Sequence, residues 1–198
     1  MLAAVLLILY WLWLEKADGP AADIALALDA RIPFRYSFAA FYLAWYGIAA
    51  VVLLILFIRS PGDHVRLSAE LAGAALLFLL ISALFPNTAS IRPAINPEAS
   101  VLADAVARIY RFDSPRNVLP GFHPFMVMAV THACRRTRLR RLRAMYPLVL
   151  LMAVPGFLSP FFIKLLPAVS AGCALVMGFL LNALTWNARF NDLTFDRL

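Results

Sequence analysis

The sequence predicts an all-α integral membrane protein, a six-transmembrane-helix bundle forming a single membrane domain over 1–198. Three observations predict it. Of 198 residues, 63% are hydrophobic and only 15% charged, with a mean hydropathy of +0.81. A soluble domain of this length needs more polar surface, so most helix surface here must face lipid or other helices. The apolar residues gather in six runs, at about 1–14, 37–58, 69–85, 121–134, 144–163 and 165–184. Between the fourth and fifth runs stand Arg135, Arg136, Arg138, Arg140, Arg141 and Arg143, the mark of a cytoplasmic loop beside a span.

Each run carries its own argument. The first is short, but no Lys or Arg precedes it, and Ala17-Asp18-Gly19 makes a poor cleavage site, so an uncleaved span is expected over a signal peptide. The second, about 22 residues at 1.5 Å each, crosses ~30 Å of hydrocarbon. The third is about 17 residues, near the lower limit for a span. The fourth is short and opens at Pro120-Gly121, a helix-start signal. The fifth and sixth are each about 20 residues, ample to span. Between the third and fourth runs, 101–110 reads as an amphipathic piece.

Charge sets orientation. The Arg cluster places both termini and 59–68 in the cytoplasm, and 15–36, 86–123 and the turn at 159–164 outside. Counting Glu70 at the inner edge of the third run, cytoplasmic segments then hold 10 Lys+Arg against 4 acids and outer segments 8 against 7, so the bias is mostly the single cluster. The net charge of +7 suits nucleic acid in a soluble protein. In a membrane chain it sets topology and meets anionic lipid, so anionic lipid at 135–143 is the expected partner and nucleic acid is not. A bacterial inner or plasma membrane is the expected location. Cys134 and Cys173 lack the paired spacing of a metal site or disulfide framework, and no metal or cofactor is expected.

Candidate chemistry lies in 86–123. Arg92-Pro93 follows Phe85-Pro86, and Arg116-Asn117 leads through Pro120-Gly121 to His123 at the mouth of the fourth run. Arginine grips phosphate bidentately, histidine carries a proton near neutral pH, and a helix N-terminus attracts anions.

These pieces, in this order, resemble the type 2 phosphatidic acid phosphatase superfamily, in the branch of inositol phosphorylceramide synthase-like membrane proteins. Phe85, Pro86, Arg92 and Pro93 match the first motif, and Asn117, Pro120 and His123 match the second. Leu28-Asp29-Ala30-Arg31-Ile32-Pro33-Phe34 is similar to the branch's lead-in to its second span, so the resemblance covers about 28–184. It implies a six-span lipid phosphatase fold acting on a lipid phosphate or pyrophosphate. A third-motif histidine would attack phosphorus to form a phosphohistidine. An aspartate would orient it, and the second-motif histidine would protonate the leaving oxygen. His123 takes that general-acid position, and Arg92, Arg116, Asn117 and Lys164 are the implied phosphate-binding residues.

The sequence departs from the family at the third motif. Anchored on Lys164, the nucleophile position is Leu166 and the aspartate position Ser170. Anchored on Ala171-Gly172, they become Lys164 and Ala168. Gly121 replaces the second-motif serine, and Phe85 stands where the wider superfamily has a first-motif lysine. His132 lies ~13 Å along a helix from His123, and His64 lies in the opposite loop, so neither reaches a phosphate at Arg92. The expectation is therefore a catalytically impaired relative that binds an anionic lipid head group at its outer face. The alternatives are an active phosphatase or head-group transferase with altered chemistry, in which Lys164 or His123 attacks, and a non-catalytic membrane-assembly subunit.

Overall fold

A computed structural model describes residues 19–186, and the first predicted span, 1–14, lies outside them. The described chain is α-helical apart from one small parallel strand pair. A short α1 (Ala27–Arg31) leads to α2 (Phe38–Arg59) and α3 (Pro61–Leu84). The connection from α3 carries a 3-10 turn at Pro97–Ala99 and α4 (Val101–Phe112). The remaining helices are α5 (Phe122–Arg136), α6 (Arg140–Ala144), α7 (Tyr146–Phe162) and α8 (Val169–Trp186). Strands β1 (Ala22–Asp23) and β2 (Asn87–Thr88) pair with Ala22 opposite Asn87.

Three of these helices, α2, α3 and α8, are long and apolar enough to cross a membrane, and α7 is apolar but only 17 residues long. The fourth apolar run becomes α5, 15 residues long and the centre of the bundle, packed by α2, α3, α7 and α8. Enclosed by other helices, α5 has little surface to show to lipid, which is why it tolerates His123 and Thr131 in its buried set. Leu54, Phe57, Leu80, Leu151, Phe179 and Leu184 on the surrounding helices all point outward and stay exposed. An exposed apolar surface of this extent is what a lipid-facing bundle presents.

Close packing rests on small residues. A Cβ on Gly156 of α7 would sit 3.0 Å from the Trp45 ring of α2, and one on Gly178 of α8 would sit 2.8 Å from the Met128 methyl. Such close approach is how helices associate where lipid removes the hydrophobic driving force. The core so formed joins Trp45, Leu56, Leu67, Phe125, Val130 and Met177.

Helix α3 begins well before the apolar run at 69–85 and takes in most of the expected loop 59–68. Pro61 at its first turn and Asp63 near the N-terminal dipole make a favourable start. Buried Asp63 accepts hydrogen bonds from Ser60 Oγ (2.8 Å), Thr137 Oγ1 (2.8 Å) and the Arg138 amide (2.9 Å), and pairs with Arg66 (3.2 Å). Hydropathy finds the lipid-facing part of a helix and misses polar turns held by tertiary partners. A few residues along α3, buried Glu70 accepts from Trp186 Nε1 at 2.9 Å, fastening α3 to the end of α8. The α2–α3 turn, the α5–α6 turn and the end of α8 thus share one end of the bundle.

Candidate functional site

The opposite end gathers the residues singled out in the sequence. Its frame is the strand pair and the loop 113–121. Asn87, fully buried, donates from Nδ2 to the Phe85 carbonyl (2.8 Å) and accepts from the Leu119 amide at Oδ1 (3.1 Å). Its own carbonyl accepts from the Asn117 amide at 2.6 Å, and Thr88 Oγ1 donates to the Pro115 carbonyl at 2.8 Å. These bonds lock 85–88 onto 115–119. Asn117 turns the chain with a φ of 53°, a left-handed conformation that asparagine tolerates better than most residues. The peptide Leu119–Pro120 is cis, and Gly121, at φ 83°, opens α5.

Arg92 lies over the Tyr110 ring at 4.7 Å and donates to the carbonyls of Asp113 (2.5 Å) and Ser114 (2.8 Å). Its guanidinium is 3.9 Å from the Asp113 carboxylate. Arg92 therefore ties the loop after β2 to the end of α4. The Tyr110 hydroxyl donates to the Ile163 carbonyl at 2.5 Å, fixing α4 to the end of α7. Burial pushes the Tyr110 phenol up to about 12, with adjacent Arg92 pulling the other way.

Lys164 follows α7 with a φ of 54°. It is buried, and its ammonium donates to the Asp29 carbonyl. The Asp29 carboxylate accepts from the Ala168 amide (2.6 Å) and the Leu26 amide (2.7 Å). The segment 26–29 is thus bolted to the segment 164–168. Leu166 packs in an apolar cluster with Ala89, Val118 and Phe161. Ser170 Oγ donates to the Val118 carbonyl at 3.0 Å. A Cβ on Gly121 would lie 2.9 Å from the Ser170 Cβ, so the start of α8 packs closely against the N-terminus of α5.

His123 is buried, its ring stacked on Tyr42 with centroids 4.3 Å apart. Its Nε2 lies 3.2 Å from the Gly156 carbonyl. A carbonyl only accepts, so this partner assigns the proton to Nε2 and leaves Nδ1 bare. Among the described residues Nδ1 is buried with no hydrogen-bond partner. Arg116 reaches away to the Gly19 carbonyl at 3.0 Å.

Arg92, Asn117, His123 and Lys164 therefore belong to one end of the bundle. Arg92 and Lys164 are linked through Tyr110 and Ile163, while His123 is stacked on Tyr42. The cations Arg92, Arg116 and Lys164 and the imidazole Nε2 all address protein carbonyls. Sequence reasoning missed Asn87, Asp29 and Tyr42, the residues that hold this end together. Asn87 and Asp29 were visible only as members of motif-like strings, and Tyr42 as one more aromatic residue in an apolar run. No family model matches the chain, and neither a curated protein nor a solved structure matches it.

Proposed function

We propose that this chain is a six-span membrane protein with the layout of the type 2 phosphatidic acid phosphatases but without their reaction, its former site serving as a structural lock. One observation carries the reading. Where the loops 85–92 and 115–121 meet the segment 164–171, the nucleophile position of the Lys164 register is filled by Leu166, packed among Ala89, Val118 and Phe161. A leucine cannot attack phosphorus, and its cluster leaves apolar atoms where a phosphate would need donors.

The neighbouring groups support the same reading. In the other register Lys164 holds the nucleophile position, yet its ammonium is buried and donates to the Asp29 carbonyl. The one proton of neutral His123 is directed at Gly156 rather than at a leaving oxygen. Moving Arg92 onto a phosphate would strip two half-buried carbonyls of their donor and break its contact with the Tyr110 ring. An outer head-group cradle is therefore disfavoured.

The test is phosphate release by the purified protein from phosphatidic acid, lysophosphatidic acid and undecaprenyl pyrophosphate. Release at background level, equal in wild type and His123→Ala, is the expected result. Release that His123→Ala abolishes would overturn the proposal.

A further inference from the structure

The bundle carries a second feature, away from the lock, in the face that α5, α7 and α8 present to lipid. A groove of about 430 Å³ runs between α5 and α7, with Leu175 of α8 on its side. Its walls are Val127 and Thr131 on α5 and Leu150, Val154 and Phe157 on α7. Leu150, Val154 and Leu175 are all exposed, so the groove opens sideways. From Tyr146 to Leu158 the α7 wall is about 18 Å long at 1.5 Å per residue, close to the ~15 Å depth of one leaflet's hydrocarbon.

One end of this apolar channel is cationic. Arg135 and His132 line it where α5 runs out into the arginine cluster, with Tyr146 opposite. Arg135 has no hydrogen-bond or ion-pair partner among the described residues. An apolar slot of one leaflet's depth, ending at a guanidinium with no protein partner among the described residues, has the chemistry of a phospholipid tail beneath an anionic head group.

We propose that this groove holds one acyl chain of an anionic phospholipid, with the head-group phosphate on Arg135. The inference rests on the chain lying in a membrane and is independent of whether the outer end has lost its reaction. It also narrows the role of the arginines. Arg135 reads the phosphate of a seated lipid, while Arg140, Arg141 and Arg143 meet the bulk surface.

Native mass spectrometry of the full chain in neutral detergent tests this, with phosphatidylglycerol, phosphatidylcholine of the same acyl chains, and glycerol 3-phosphate as a chainless head group. Phosphatidylglycerol should be retained one per chain and in preference to phosphatidylcholine, with glycerol 3-phosphate failing to displace it. Arg135→Gln should weaken retention about fivefold, the value of one cation at an anionic surface. Val154→Trp fills the groove from an exposed position and should weaken retention with the helical circular dichroism unchanged. Equal retention of the two lipids, or full displacement by glycerol 3-phosphate, overturns the proposal. So does Arg135→Gln binding like wild type while the triple change of Arg140, Arg141 and Arg143 to Gln releases the lipid. If Val154→Trp leaves lipid bound but splits a dimer, the groove is a contact between two copies and the lipid assignment falls.

Discussion

At Gly121 two demands fall on one residue. Its φ of 83° disfavours any L side chain, and a Cβ there would lie 2.9 Å from the Ser170 Cβ and 3.1 Å from the Ser170 carbonyl. The second neighbour is backbone and cannot swing aside. Gly121→Ala should therefore cost roughly 1–3 kcal/mol, read as a lowered thermal midpoint in detergent. Gly172→Ala is the control, because nothing lies within 4 Å of its Cβ position and α8 is regular there. That change should be neutral or slightly stabilising, since alanine favours helix. Equal midpoints for Gly121→Ala and wild type would remove the α5–α8 contact from this account. The sequence showed Pro120-Gly121 as a helix start and Gly121 as a missing serine. It did not show that glycine is required, because that depends on Ser170, far along the chain. The same holds for Asp29, whose partners Lys164 and Ala168 no local pattern points to.

Among the elements, α4 was legible from its own pattern, since an amphipathic stretch at 101–110 became Val101–Phe112. Its job was not legible, because it depends on Tyr110 reaching the end of α7. Burial of the Tyr110 hydroxyl penalises the phenolate, so the folded state favours the protonated form, the one that donates to Ile163. With its pKa raised from 10.0 to about 12, this group's contribution is fully present below about pH 10 and is lost as pH rises through about 12. Wild type should lose thermal stability over that window more steeply than Tyr110→Phe, which has no hydroxyl to titrate. The effect will be modest, because Tyr110 is only partly buried and solvent screens it. Parallel pH profiles for the two proteins would mean that burial of the Tyr110 hydroxyl does not couple to folding. The long helices show the converse pattern. Apolar runs located α2 and α8 well, yet the polar first turns of α3 escaped notice because their hydropathy resembles a loop's.

On the scale of the whole molecule, polar groups collect at two ends of an apolar belt. Hydropathy made the belt readable, but it could not say which loops meet at each end. At one end the meeting is organised by Asp63, 1% exposed, which joins the α2–α3 turn to the α5–α6 turn. Its carboxylate takes the Thr137 hydroxyl, the Arg138 amide and the Ser60 hydroxyl and pairs with Arg66. Asp63→Ala removes the acceptor these donors share and the charge partner of buried Arg66, and should destabilise by about 3–5 kcal/mol. Asp63→Asn keeps one oxygen acceptor but turns the other into a donor facing donors, so it should fall between wild type and alanine. Pairing Asp63→Ala with Thr137→Val separates the hub from general damage. If the carboxylate joins the two turns, the double variant should lose less than the sum of the single losses, by about 0.5–3 kcal/mol. Strict additivity would mean that each turn is held by its own neighbours and that Asp63 does no more than cap α3. The measurement is the unfolding midpoint of each variant in one detergent at fixed protein concentration. The arginine cluster bears on the outcome, because Arg138 carries one of the bonds to Asp63. Loosening that bond should free the loop beside Arg135 and weaken the lipid groove along with the fold.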